Sequence, residues 1–510
     1  MSAGLIQLVA KGREDNYLIG DPQITLFKMI YRRHTNFAIQ QIPLHFLSTP
    51  DFNKKVSLNI EKQGDMVYKM VLVLTLPEIP KYYNIDGSEN NIVKYAWSKN
   101  ISYVIIKNIE IELADILIDR QYGEWLYIWH ELFDDSNNQY DKMTGNIKEL
   151  YEFTETKPEY KLFIPLHFYF CESLSNSFPI ICLNSTKLKL NLELNDLSQC
   201  LRIAPSNYID IKDPYVFFET GENLIQLQSK INSSVFSGKK EDLSTYSIGQ
   251  FIYFDEIKKR LYYQKITNET FKESSDGFIY GNNNLVSGVD NSYVYTITNK
   301  PNLKIKECFI ITDYIFLEQE ERGTLRNNNQ NILISQVQYN GENKISGDNS
   351  KFNIEFKNCI SFLCWVSNYS YLHNIYNNDF FNYSNYELDL NNNISTVIKN
   401  SLIKQSNILF NENMRNGEIN NKYYSEIQQL KHFKNSKQSG INVYSFSLNP
   451  LISYVSGQPS GCCNMTELND VKLEIFYNKN ISINSLISFR AYCLSYNILS
   501  ISSDEIKLLF

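Results

Sequence analysis

The chain is short of the residues from which most catalytic and metal sites are built. Its 510 residues include only six histidines, and these stand far apart in sequence. No GxGxxG follows a strand pattern, and neither a Walker loop nor an HExxH is present. The common signals for dinucleotide, nucleoside-triphosphate and zinc-hydrolase chemistry are therefore missing. The nine cysteines are scattered, apart from Cys359/Cys364 and the adjacent Cys462 and Cys463. No CxxC occurs, and no cysteine has a histidine at metal-ligand spacing, so reduced core thiols are expected. No run approaches the roughly 18 apolar residues of a membrane helix. The opening MSAGLIQLVAKGRED has basic residues after its short apolar run, unlike a signal peptide, and Ser2 breaks the myristoylation pattern. There is no basic tail or stripe either. With 49 Lys and Arg against 56 Asp and Glu, the net charge is −7, and direct nucleic-acid binding is not expected.

What the chain has in quantity is aromatic side chains, 14% of residues with 36 Tyr and 30 Phe, which favours strands and large contact surfaces. Its length is too great for one ordinary core, so two domains are expected. The division falls at residues 308–329, CFIITDYIFLEQEERGTLRNNN. Ten residues of strand chemistry run into Glu318-Gln319-Glu320-Glu321-Arg322, read as a charged turn, and then into an Asn run that favours loop. The sequence thus predicts a closing strand and a short connector.

Strand signals recur before it. Residues 67–76 (VYKMVLVLTL) form a nearly continuous apolar run ended by Pro77, as for a strand buried on both faces. Residues 109–113 and 187–194 alternate. One segment breaks the pattern: Tyr122, Trp125, Trp129 and Leu132 make a helical stripe, read as core or interface and not as a ligand box. Residues 203–305 are rich in Asn, Ser, Gly, Lys and Tyr, with strand-like pieces at 246–254 and 293–297, and read as an exposed insertion. In the second half, strands are expected at 332–337, 352–356, 360–366, 441–448, 471–476 and 488–494, with a polar stretch containing weak helix at 374–440. Antiparallel sandwiches fit this order; βαβ units do not appear.

The residues supply no catalytic constellation. Gly457-Gln458-Pro459-Ser460-Gly461 has the wrong spacing for a nucleophile elbow, and Glu318, Glu320 and Glu321 read as solvated. No catalytic, cofactor-binding or metal-binding residue is assigned, no cofactor is expected, and an enzyme is not the reading. Lys28, Arg32, Arg33 and His34 form a local basic patch suited either to an acidic partner or membrane surface or to an ordinary solvated turn.

Several blocks carry a family likeness. They include Leu5-Ile6-Gln7-Leu8-Val9-Ala10, Gly20-Asp21-Pro22-Gln23-Ile24-Thr25 and Tyr31-Arg32-Arg33-His34-Thr35-Asn36-Phe37-Ala38. Tyr122-Gly123-Glu124-Trp125-Leu126, Tyr140-Asp141-Lys142-Met143-Thr144-Gly145 and Phe163-Ile164-Pro165-Leu166 follow. Then come Asp313-Tyr314-Ile315-Phe316-Leu317, Gly440-Ile441-Asn442-Val443-Tyr444, Gln458-Pro459-Ser460-Gly461-Cys462 and Arg490-Ala491-Tyr492. In this order the chain resembles the double jelly-roll major capsid proteins of the nucleocytoplasmic large DNA viruses. It differs from them in the long insertion at 203–305, in the weak motifs of 374–436 and in its last residues.

The resemblance implies an all-β protein of two consecutive eight-stranded jelly-roll β-sandwiches with short helices and long loop insertions. The expected layout is an N-terminal arm (1–24), a first roll (25–317, with the insertion at about 203–305), a connector (318–330) and a second roll (331–510). It implies a structural protein of the virion, assembled in the host cytoplasm, that homotrimerises into pseudo-hexagonal capsomers tiling an icosahedral shell. The implied partners are other copies, neighbouring capsomers, minor capsid proteins and an inner viral membrane reached by the arm. A divergent paralogue with a minor or scaffolding role is the alternative. A carbohydrate-binding jelly roll or a cupin-type enzyme is a more distant rival, and the second would need a His/Glu metal cluster.

Overall fold

The computed structural model describes residues 34–81, 94–133, 138–183, 186–204, 303–327, 329–345, 349–373, 378–383, 401–417, 419–433, 440–478, 487–502 and 506–510. It also describes short pieces at 6, 9–13, 21, 207–210, 223–227, 247–255, 260–265 and 278–281. Most of the expected N-terminal arm, with Lys28, Arg32 and Arg33, lies outside the described residues, as does the strand-like piece at 293–297.

Among the described residues, sixteen strands build two sandwiches, and two short ones, Cys463–Asn464 and Ile506–Leu508, extend a sheet of the second. The first uses β1 (Phe37–His45), β2 (Lys55–Ile60), β3 (Met66–Leu76), β4 (Ile106–Leu113), β5 (Ile116–Tyr122), β6 (Tyr160–Pro165), β7 (Leu188–Leu194) and β8 (Glu307–Leu317). One sheet runs β1-β8-β3-β6 and the facing sheet β2-β7-β4-β5, with every pairing antiparallel. The second uses β9 (Gln330–Ile345), β10 (Asn349–Asn353), β11 (Cys359–Tyr369), β12 (Ile403–Phe410), β13 (Asn413–Met414), β14 (Asn442–Ser445), β15 (Val471–Tyr477) and β16 (Ile487–Ile501). Its sheets run β9-β16-β11-β14 and β10-β15-β12-β13. Strand for strand the two orders are the same, and each is that of a jelly roll.

Alternation places the cores. In β3, Met70, Leu72, Leu74 and Leu76 point inward, and Leu188, Leu190, Leu192 and Leu194 of β7 meet them from the other sheet. The second sandwich has its own core around Trp365, Leu473, Ile475, Phe489 and Ala491.

The helical stripe read in the sequence is α1 (Gly123–Phe133), which follows β5 directly. It can start there because residue 123 is glycine: a Cβ would lie 2.0 Å from the Tyr103 carbonyl oxygen and 2.3 Å from that of Ile106.

Three expectations are corrected. The charged segment after β8 is not a turn but α2 (Gln319–Asn327). Glu320 and Glu321 in its first turn and Arg326 in its last complement the helix dipole, which pattern reading had missed. The insertion after β7 is not simply loop: it carries a five-stranded antiparallel sheet with a small core of Leu224, Phe251, Leu261 and Tyr263. The polar stretch 374–440 contains a full strand, β12, whose Ile403 and Ile408 enter the second core.

Candidate functional site

The residues that the tertiary structure brings together most densely lie between the two sandwiches. α1 stands on the first sandwich and covers the outward face of the β9-β16-β11-β14 sheet of the second. Trp125 packs on Phe362 (ring centroids 5.9 Å apart) and on Tyr492 (6.0 Å), and Phe133 packs on Phe362 (6.0 Å). Tyr127 stacks on Phe381 at 4.2 Å, and Trp129 meets Tyr454 at 4.3 Å. These contacts fuse residues of both sandwiches into one continuous apolar cluster.

An ion pair sits inside this aromatic packing. Arg490 of β16 donates from Nε to Glu124 Oε2 at 2.6 Å and from Nη2 to Oε1 at 2.7 Å. The Tyr383 and Tyr492 hydroxyls donate to the same carboxylate at 2.9 and 2.6 Å. Arg490 further donates to Ser488 Oγ (2.6 Å) and Asn368 Oδ1 (3.2 Å). Burial alone would push the Glu124 carboxyl up; the Arg490 guanidinium and the tyrosine hydroxyls outweigh it and hold the group below the ordinary carboxylate range. Burial, with Arg490 close by, lowers the pKa of His373 to about 4 and keeps its ring neutral. A forked guanidinium on a carboxylate fixes orientation as well as distance.

A second polar contact crosses the joint. Asp119 of β5 accepts from the Val337 backbone N–H of β9 at 2.9 Å and from Gln121 Nε2 at 3.0 Å. Burial pushes its carboxyl up to about 7 against the pull of these hydrogen bonds. Asn378 ties on from the second half, donating to the carbonyls of Ser198 (2.7 Å) and Leu201 (2.6 Å). α2 is held to the first sandwich by Arg322, whose Nη2 donates to Asp65 at 2.9 Å.

This arrangement is built for rigid attachment. Its carboxylate is saturated by donors and has no open side for a substrate. Ser460 lies in a hydroxyl cluster with Ser447 and Ser453 (Oγ to Oγ 2.5 and 2.7 Å). Glu318 accepts from Asn36 at 2.9 Å. His34, from the basic patch, is exposed and contacts the Thr35 carbonyl. All nine cysteines are free. A shallow cleft of about 440 Å³ is lined by His45, Leu47, Pro50, Lys306, Glu307 and Phe309.

The sequence reading placed the two Trp residues at core or interface but gave Glu124 and Arg490 no role. A signal was present: each is a charge inside a predominantly apolar element, GEWLYIWHELF and ISFRAYCLSYNILSI. A charge so placed needs a buried partner.

Two jelly rolls in one chain, fused through a buried joint, define the double jelly-roll class, and solved structures share it. The Faustovirus major capsid protein aligns with a TM-score of 0.66 at 11% identity, covering 96% of this chain and 94% of that one. The quasi-atomic model of the PBCV-1 virus capsid aligns at 0.62 with 17% identity, covering 95% and 100%. At the level of sequence, residues 25–232 match the major capsid protein N-terminus family, and residues 321–505 match the large eukaryotic DNA virus major capsid protein family. "Probable capsid protein 4" of Acanthamoeba polyphaga mimivirus is 34% identical over 98% of both chains, and the major capsid protein of Phaeocystis pouchetii virus is 24% identical over 99% of this chain and 98% of its own. The chain belongs to the family of major capsid proteins of large eukaryotic DNA viruses, structural proteins of the virion that form the capsid shell.

Proposed function

We propose that this chain is a shell subunit that homotrimerises into a pseudo-hexagonal capsomer, and that such capsomers tile an icosahedral shell. The observation that carries the reading is the repeated strand order. One chain supplies two sandwiches of the same topology, so three chains around an axis supply six similar units. In this reading residues 1–24 are an arm, 25–317 and 331–510 are the two rolls, and 318–330 connect them. The arm, continued by the basic residues to 34, reaches neighbouring capsomers, minor capsid proteins or an underlying membrane. Assembly takes place in the host cytoplasm. The subunit is not an enzyme, needs no cofactor and, at a net charge of −7, does not hold the genome directly.

Light scattering on the purified protein tests the trimer. One chain is 59.6 kDa. A species of about 179 kDa, three times that mass, is expected; a monomer at every concentration would remove the reading.

A second reading rests on one observation. One full-length relative is a "Probable capsid protein 4", from a virus whose "Capsid protein 1" is 32% identical over 52% of this chain. A virus with several such chains has room for a minor or scaffolding paralogue. Copy number in purified particles separates the two: the principal subunit dominates the protein mass, and a paralogue is present at a small fraction of it.

A further inference from the structure

Three of the nine cysteines meet where β11 begins, and neither the internal joint nor the shell reading uses them. The short strand Cys463–Asn464 pairs antiparallel with β11, Cys359 opposite Asn464 and Ile360 opposite Cys463. Side chains on a strand alternate between faces. Cys462, two residues before Asn464, therefore shares the face of Cys359 as its diagonal neighbour. Cys463 points with Ile360 to the other face and packs against the second core. Cys462 is exposed and Cys359 half-buried. The two thiols act on one another: burial first, then a hydrogen bond and the charge of the Cys359 thiol, push the Cys462 pKa up to about 11. Cys364 and Cys493 also neighbour each other, but both are wholly buried, and the register sets them one position apart, on opposite faces.

The segment that carries Cys462 is lightly held. It runs from the helix Pro450–Ser456 through Gly457-Gln458-Pro459-Ser460-Gly461, and its ladder with β11 is two residues long. Cys462 itself stands outside that ladder. It follows Gly461, whose φ of +134° is a conformation that glycine adopts freely. A disulfide brings its two Cβ atoms to about 4 Å, closer than diagonal partners in a ladder. The movement this requires falls on the loop and not on β11, which is fixed on its other side by pairing with β16, Cys359 opposite Tyr496.

We propose that Cys359 and Cys462 form a dithiol modification site, which a low-molecular-weight disulfide such as oxidised glutathione converts into a cross-strand disulfide that fastens the 457–462 loop to β11. The exposed Cys462, as thiolate, attacks one sulfur of the small disulfide; a mixed disulfide forms and the first small thiolate leaves. Cys359, as thiolate, then attacks the Cys462 sulfur, the bond to the small group breaks, and the second small thiolate leaves. The two protons of the cysteines end on the two small thiols, which carry away the two electrons. The raised pKa of Cys462 leaves little thiolate at neutral pH, so closure is slow and the pair survives brief exposure open. Thiols persist in reducing compartments and disulfides outside them. The pair would thus be open in the cytoplasm proposed for assembly and closed in a released particle. That timing rests on the assembly reading; the bond itself does not.

The test uses the full chain, purified reduced and then held with oxidised glutathione, its free thiols counted by mass after alkylation. The parent is expected to lose two of its nine free thiols, with the peptides that carry Cys359 and Cys462 joined. Its melting temperature should rise by about 5 °C or more and fall back with reductant. Cys359→Ser is expected to stop at the first step, with glutathione held on Cys462. Cys462→Ser is expected to keep every remaining thiol and to show no rise in melting temperature. Cys463→Ala should close like the parent. A cooperative melt of each reduced variant shows that it is folded. A folded parent that keeps all nine thiols, or that joins Cys462 to Cys463, overturns the pair, as does loss of two thiols from Cys462→Ser. A closed bond that leaves the melting temperature unchanged overturns the fastening. A parent that is monomeric throughout removes the trimer reading and leaves this test intact.

Discussion

Glu124 and Arg490 show what a single pair of residues does here. Both lie in low-dielectric surroundings, and each is tolerable only because of the other. Removing one partner leaves a buried charge unmatched, so Arg490→Met alone is expected to cost about 3–5 kcal/mol. The double variant Glu124→Leu/Arg490→Met should recover much of that loss, although the Tyr383 and Tyr492 hydroxyls then lose their acceptor. Chemical denaturation of the two variants checks both statements. Asp119 acts in the opposite sense. Its carboxyl titrates near 7 in the folded chain and near 4 when unfolded, so the folded state prefers the proton. Its contribution is fully present below about pH 4 and is lost as pH rises through about 7. The parent should therefore lose stability between about pH 4 and pH 7 by a component that Asp119→Asn lacks, as read from melting temperatures across that range.

At the scale of elements, patterning revealed a good part of the fold and missed the rest for identifiable reasons. β7, with perfect alternation, and α1, with its Trp stripe, stood out because one face of each is buried and the period follows. β3 read as buried on both faces, yet Tyr68 and Val71 are half-buried and Lys69 is exposed on its outward and edge positions. α2 was hidden because it is short and polar, and its signal lies in the placement of its charges. β12 was hidden because Gln405, Ser406 and Asn407 occupy its middle. Ser406 and Asn407 are buried, and hydrogen bonds to Trp365, Asn421 and Glu474 satisfy them. Buried polar residues whose main partners are distant in sequence defeat a local reading.

At the scale of the whole molecule, the chain is a pair of like units joined stiffly, and the assembly reading depends on that stiffness. A joint held only by loops would let the rolls turn, and a ring of six units would not close in one geometry. The arm belongs to this scale, because its proposed contacts lie outside the trimer. A chain lacking residues 1–24 should still run at the trimer mass while failing to build shells, with particle formation read by electron microscopy. Normal shells from that deletion would remove the arm's proposed role.

The sequence by itself determined the class of architecture. Alternating strands, turn spacing and a collinear set of family blocks are local signals, and burial on one face writes them residue by residue. Only the tertiary structure decided how the halves are fixed together, since Glu124 and Arg490 stand 366 residues apart and nothing local marks them as partners. It also decided which apolar surface is already covered inside the chain, as α1 covers the β9-β16-β11-β14 face. The physical reason is that a sheet face looks the same in sequence whether its own chain covers it or a neighbour does.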